Sequence, residues 1–357
     1  MTPEDRAWEV VRRAYLERSP RPRARPGNRL LPTAAALAVV AAVALAALSP
    51  PGRAVFERVG RAVGVEPAAT ELFSLPGGGR LLAVAHGGVW LVEADGAKRR
   101  LAYDDAEWSP HGLYVVATRG DELVAADPHG RVHWTLARPQ PRWPRWEGTY
   151  VDTRIAYLSA GDLRVVAGDG TGDHLLAAHV LPVPPAWDPA RLHTVAYAVA
   201  GAVVLRTADG RLVWRRRVRV VPHALEWSSD GRRLAVVGAR RIEILDGAGR
   251  TLGVVAPPGA AGLDAAFRPG THILAVAGRL GGQSEVRVGG RLVFAGPGVF
   301  GGIAWSPGGG WLLVTWPTAN QWLFLHGARV HAVGNIAHQF AQTDARTPAQ
   351  IDGRWSQ

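Results

Sequence analysis

A short phrase recurs seven times between Leu72 and Val333, and its spacing restricts the chain to a repeat architecture. It is clearest in Glu107-Trp108-Ser109-Pro110-His111-Gly112, Glu226-Trp227-Ser228-Ser229-Asp230-Gly231 and Ala304-Trp305-Ser306-Pro307-Gly308-Gly309. Weaker copies are Ser74-Leu75-Pro76-Gly77-Gly78, Trp187-Asp188-Pro189 and Phe267-Arg268-Pro269-Gly270, with a degenerate one at Trp146-Glu147-Gly148. Successive copies stand roughly 34–41 residues apart, a period at which one supersecondary unit stacks on the next.

Each unit has the same internal order. An apolar pair ends in Trp or Phe, a Pro/Gly turn follows, and then an alternating run such as Leu113-Tyr114-Val115-Val116-Ala117. A second run (Glu122-Leu123-Val124-Ala125-Ala126) leads to a tight turn and a last run, Arg131-Val132-His133-Trp134-Thr135-Leu136. The turns before the last run fall at Asp95-Gly96, His129-Gly130, Asp169-Gly170, Asp209-Gly210, Ala248-Gly249, Gly289-Gly290 and His326-Gly327. Glycine there supplies the backbone a hairpin needs. No repeat sustains a 3.6-residue period, which excludes a helical solenoid. Four short strands per unit and seven units predict an all-β, seven-bladed propeller of four-stranded blades over 70–335. Trp108, Trp187, Trp227, Phe267 and Trp305 should sit buried at equivalent inner positions. For 336–357 two readings stand, a polar tail outside the fold or a strand that closes the ring.

Composition narrows the chemistry. An apolar fraction of 47% is too high for wholesale disorder, and fourteen Trp suit packing between blades. With no Cys there is no disulfide framework, thiolate metal site or Cys nucleophile. The net charge of +11 divides unevenly: residues 1–65 hold eleven Arg against five acids, about half of the excess. The remainder, over nearly three hundred residues, is too dilute for a phosphate-tracking surface, so no nucleic-acid partner is expected. Two local basic clusters stand out. Arg215-Arg216-Arg217 with Arg219 belongs to the last strand of the fourth blade, and the Pro-stiffened stretch from Arg138 to Trp146 reads as the connection between the second and third.

Catalytic signatures are lacking. There is no G-x-S-x-G elbow, H-E-x-x-H helix, Walker loop or dinucleotide fingerprint, and the twelve His are scattered through turns. No catalytic residue, metal site or cofactor is expected. An enzyme whose site is assembled from distant residues, acting outside the cytoplasm on envelope polymers, is the alternative reading.

The amino-terminal region carries a different signal. Residues 30–48 hold no charge and are dominated by Ala, Leu and Val, a length that spans a ~30 Å hydrocarbon core. Arg12, Arg13, Arg18, Arg21, Arg23, Arg25 and Arg29 precede this segment and only Arg53, Arg58 and Arg61 follow closely. That bias predicts one transmembrane helix with the amino terminus in the cytoplasm and the propeller outside. A cleavable signal competes, since Ala44-Leu45-Ala46 before Ala47 has a small-x-small form. Residues 1–29 comprise an amphipathic helix and an Arg/Pro spacer. Thr2 caps the helix, Pro3 opens it, and Trp8, Val11 and Tyr15 share one face. Its four Arg balance four acids, which favours a cytoplasmic protein partner, bound through Trp8, Val11 and Tyr15, over a lipid surface. Residues 49–69 form a juxtamembrane segment.

The Trp-Ser-Pro-x-Gly turn followed by a β run resembles the TolB-like and WD-repeat-like propellers of bacterial envelope and signalling proteins. That resemblance covers Leu72 to Val333 and implies a binding or sensing module with protein partners. The Trp-Asp pair that closes a true WD repeat is missing, and the separate amino-terminal domain of TolB has no counterpart here. Residues 123–134 and Ala208-Asp209-Gly210-Arg211-Leu212-Val213-Trp214 resemble the quinoprotein-type repeat ending in Gly-x-x-x-Trp. A cytoplasmic helix, one span and an outer propeller also resemble the layout of membrane-bound anti-sigma regulators, without their zinc-binding signature.

Overall fold

The computed structural model describes residues 72, 74–85, 88–149, 151–280, 283–340 and 352–356. Seven antiparallel four-stranded sheets succeed one another. Blade two shows the plan: inner strand Asp105–Trp108, then Val115–Arg119, Glu122–Ala126 and outer strand Val132–Ala137. Blades three to seven repeat it, with inner strands Pro141–Trp146, Ala186–Trp187, Pro222–Trp227, Ala260–Phe267 and Ile303–Trp305. Each inner strand neighbours that of the next blade, and the seventh returns to the first, so the ring is closed.

Every inner strand named ends on the aromatic residue of the repeat, as the spacing predicts. Trp108, Trp187 and Phe267 are buried, while Trp146, Trp227 and Trp305 are half-buried. The hairpin glycines also fall as expected, with positive φ at Gly96, Gly130, Gly170, Gly210, Gly249, Gly290 and Gly327.

Blade one departs from the plan. Its chain-order strands are Arg80–Ala85, Gly88–Val92 and Lys98–Leu101, and its inner strand is Asp352–Ser356. Leu81 pairs with Trp355 as Leu312 pairs with Trp305 and Leu234 with Trp227. The first copy of the phrase is therefore split: Trp355-Ser356 comes from one end of the repeat region and Pro76-Gly77-Gly78 from the other. Part of 336–357 thus belongs to the ring and is not a tail outside it. A short helix, Ile336–Gln339, also lies in that stretch, and Ile336 and Phe340 are buried between blades seven and one. The segment reads as polar because a single five-residue edge strand carries little apolar pattern.

A second correction concerns the stretch from Arg138 to Trp146. Most of it is the inner strand of blade three, not a connection. An inner strand is a sheet edge, and proline is tolerated where one row of N–H groups has no ladder partner. A register shift between Arg142 and Arg145 accompanies Trp143 at φ +50°, which is a β-bulge.

Seven apolar clusters fill the seven blade interfaces. The middle strands supply them; Leu81, Val116, Ile155, Val203, Val236 and Leu313 are fully buried. Each such side chain contributes about 1.5–3 kcal/mol on leaving water. The interface between blades two and three is the smallest, with five buried residues: Val116, Leu123, Ile155, Tyr157 and Val166. Polar contacts reinforce it. Arg138, just past the outer strand of blade two, donates from Nε to Asp173 Oδ2 at 2.9 Å. Tyr157 Oη donates to Asp173 Oδ1 at 2.5 Å, and Arg164 reaches the same carboxylate.

Residues 2–18, the segment 30–48 and the rest of 1–71 lie outside the described residues. Among the described residues no helix is long and apolar enough to cross a membrane.

Candidate functional site: a cleft between the second and third blades

The turns after the inner strands and the hairpins before the outer strands share one face of the ring, called the lower face below. A ladder of indoles runs just inside it. Trp187 Nε1 donates to the Arg145 carbonyl at 2.9 Å, Trp227 to Ala186 at 3.2 Å and Trp305 to Ala266 at 3.2 Å. In each case the acceptor is the residue before the aromatic of the preceding blade. Trp146 breaks the ladder. Its indole N–H is buried with no acceptor, where the rule would give it the Glu107 carbonyl. The bulge at Trp143-Pro144 lies just before it in the same strand.

At the same interface a half-open cleft of ≈ 440 Å³ opens on the lower face. Blade two contributes the Ser109–Tyr114 turn and, from its outer strand, His133 and Trp134. Blade three contributes Trp146, Thr153 and the hairpin at Gly168-Asp169. Tyr114 is 40% exposed and meets His133 edge-on, with ring centroids 4.9 Å apart. Trp134 is locked: its Nε1 donates to the Gly168 carbonyl at 3.0 Å, and Gly170 packs against its ring. Trp214 repeats this against Gly247 and Gly249, so the two quinoprotein-like repeats mark outer-strand indoles docked on the next blade. Asp169 lies below the usual carboxylate range, through hydrogen bonds from the Thr171 hydroxyl and N–H and the nearby charge of Arg154. The lining contains no Lys or Arg.

Beside the cleft, the degenerate turn of blade three replaces Ser-Pro-x-Gly with a longer loop that begins at Glu147. Glu147 is buried and accepts the His193 backbone N–H at 2.5 Å and its ring Nδ1–H at 2.8 Å. His193 Nε2 faces Asp152 Oδ2 at 3.3 Å. Asp152 lies below the ordinary carboxylate range because Arg154 hydrogen-bonds it and its charge stands close, with a hydrogen bond from His193 besides. A carboxylate–imidazole pair of this kind orients a general base when a hydroxyl or thiol waits beyond Nε2. Here a second carboxylate waits there, so the trio ties the loop of blade three to blade four.

The inner strands carry four half-buried carboxylates, Asp105, Glu107, Glu226 and Asp264. Asp264, Glu107 and Asp105 have partners between or within blades. Asp264 accepts the N–H groups of Ala265 and, across to blade seven, Ile303. Glu107 faces Arg145 of blade three at 3.5 Å, and Asp105 caps the Ala106 N–H. Among the described residues no group of three or more His, Asp or Glu is placed to hold a metal ion. Arg215, Arg216, Arg217 and Arg219 are exposed, the first three on the outer strand of blade four, as the sequence suggests. Trp8, Val11 and Tyr15 lie outside the described residues.

No protein-family model matches the chain, and no curated protein matches it. Solved structures do. Kuenenia stuttgartiensis hydrazine synthase aligns at 16% identity and TM-score 0.53, over 69% of this chain and 80% of that one. A chain of a mitotic checkpoint complex aligns at 16% identity and TM-score 0.53, over 72% and 81%. KlHsv2 with its loop 6CD replaced by a Gly-Ser linker aligns at 9% and 0.54, over 78% and 94%. The likeness is one of fold. This chain is a seven-bladed β-propeller, with a β-propeller domain of Myceliophteria thermophila Cps50 (Swd1) among its structural neighbours at 12% identity and TM-score 0.51, over 66% of this chain and 85% of that one.

Sequence reasoning singles out Trp134 and Trp146 only as repeat residues and passes over the cleft. Its walls come from six separate stretches between 109 and 169, and only the fold brings them together. One signal was available: the repeat that loses its turn motif, at Trp146-Glu147-Gly148, is the one beside the cleft.

Proposed function

We propose that the chain is a membrane-anchored binding module. Its propeller stands outside the cytoplasmic membrane, in the manner of TolB-like propellers, and its ligand site is the lower-face cleft between blades two and three. The observation that carries this reading is the coincidence of three features at one interface. The ladder of indoles fails at Trp146, the apolar core is thinnest, and an aromatic-lined cleft opens there. Departures from an otherwise consistent repeat tend to fall at functional sites. Support for a non-catalytic role comes from Asp264 and Glu107, tied to backbone N–H groups and to Arg145, and from the Glu147–His193–Asp152 trio, which ties one blade to the next. A chain of a mitotic checkpoint complex among the structural neighbours suits a protein-binding scaffold.

The uncharged segment 30–48, with its flanking arginines, supports the anchor and its orientation. The face of Trp8, Val11 and Tyr15 supports a cytoplasmic partner to which occupancy of the propeller is relayed, an arrangement like that of anti-sigma regulators. Protease added to intact spheroplasts should degrade the propeller and spare a tagged amino terminus. A protected propeller overturns the orientation, and a mature chain starting near Ala47 replaces the anchor by a cleaved signal. For the cleft, Tyr114→Ala should abolish capture of envelope components that the parent propeller retains; equal capture by both removes the cleft from the reading.

A further inference from the structure

We propose that the cleft between blades two and three binds an uncharged saccharide unit. The inference rests on the cleft being the ligand site and names the chemistry that fits it. Its aromatic surface comes from exposed Tyr114 and half-buried Trp134 and Trp146. Polar groups share the lining with these rings: Thr153, Asp169 and the exposed His133. A pyranose has the matching two-sided character, with C–H groups that lie on an aromatic face and hydroxyls at the rim that donate and accept.

Charge decides against the other classes. An anionic ligand would meet the Asp169 carboxylate in a wall that holds neither Lys nor Arg. A cationic side chain would seek Asp169, but Asp169 already accepts from Thr171 at Oδ1 through both N–H and hydroxyl and feels the charge of Arg154. Nor do the rings make a box around a cation. Tyr114 stands edge-on to His133, and Trp134 has Gly170 packed against its ring. A cleft that sets three aromatic side chains beside one carboxylate and several hydroxyl and imidazole groups, with no Lys or Arg, suits a neutral ligand rich in hydroxyls.

The volume of ≈ 440 Å³ lies in the ordinary range for a small-ligand site. Its half-open form leaves room for the rest of a chain, so a unit within a polymer and a free oligosaccharide both fit. The two sources are separated by the assay. The full-length chain in detergent or nanodiscs is screened on an array of neutral, sulfated, uronic and amino oligosaccharides and of cationic and acidic peptides. Neutral hits are then titrated by calorimetry, both as free oligosaccharide and as sedimentable polymer.

The expected result is binding to neutral saccharides alone, weakened about ten-fold or more by Tyr114→Ala, which corresponds to ~1.4 kcal/mol. Asp169→Asn should weaken it as well, while Leu252→Ala on the outer strand of blade five leaves it unchanged. Thermal melts of the variants that match the parent keep the comparison one of binding. Capture of charged saccharides or of peptides, in place of neutral ones and lost in Tyr114→Ala, overturns the saccharide and keeps the cleft. Neutral-saccharide binding indifferent to both Tyr114→Ala and Asp169→Asn overturns the site. No Tyr114-dependent binding to any probe overturns both the saccharide and the cleft.

Discussion

At the scale of single residues, two blade interfaces each bring a glycine against an indole. Gly170 has φ +86°, and a Cβ built on it would lie 2.8 Å from the Trp134 ring; Gly249, at φ +80°, stands 2.9 Å from Trp214 in the same way. Gly170→Ala therefore meets both a backbone penalty and an overpacked indole. Loss of about 2–3 kcal/mol is expected, read from denaturant midpoints at unchanged slope. Gly210, with φ +97° and open space around its Cβ position, should lose only the backbone part when changed to Ala. The sequence shows all three glycines as equal hairpin residues. Which of them supports an indole depends on a residue about 35 positions earlier, on another blade. Asp173 is another residue that joins two blades. Burial alone would raise its carboxyl, but the hydrogen bonds from Arg164, Tyr157 and Arg138 outweigh that and hold it below its ordinary value. A carboxyl lowered by folding contributes stability above its unfolded value, near 3.9, and loses it as pH falls through the lower folded value. Asp173→Asn should thus flatten the acid limb of a melting-temperature profile below about pH 4. Asp173→Ala, which strands two guanidinium groups and a hydroxyl, should cost ~3 kcal/mol at neutral pH.

At the scale of elements, the informative piece is the loop that starts at Glu147. Blades two, five and seven turn after their Trp through a Ser whose hydroxyl accepts a backbone N–H five residues on, from Tyr114, Arg233 and Trp311. Blade three has no such Ser, and its loop is held instead by Glu147 against His193 of the next blade. Glu147→Gln should remove a charge-assisted bond and cost ~1–3 kcal/mol. Hydrogen exchange of the loop's amides should rise with it while blades five and six stay protected; unchanged exchange would mean that the trio is not what holds the loop. Inner-strand positions were legible because each unit repeats the same aromatic at the same distance from its turn. The blade-three strand was not, since Pro141 and Pro144 read as a connection until the strand is seen to lie at a sheet edge.

At the scale of the whole molecule, blade number and order followed from period alone, but closure did not. A strand of five residues, Asp-Gly-Arg-Trp-Ser, carries too little alternation to be separated from a polar tail, although its Trp-Ser pair is the missing half of the first phrase. The site was legible least, because a propeller assembles its faces from turns far apart in sequence. Deleting 352–356 should leave six blades with their internal pairing and expose the inner edge of blade one. A fall in melting temperature together with broader, less cooperative unfolding is expected, measured by calorimetry. A sharp transition at the parent temperature would show that the ring does not depend on that strand.

The borrowed strand also sets a timetable for synthesis. At roughly 5–20 residues per second, some 250 residues separate the outer strand of blade one from its inner one, an interval on the order of 10–50 s. Throughout it Arg80–Ala85 waits as an unpaired edge, with Leu81, Leu82 and Ala83, all sealed in the finished ring, open to whatever strand arrives first. Each inner strand made meanwhile is a rival for that vacancy. The nascent chain must therefore keep its first blade from an early match until the last one is delivered.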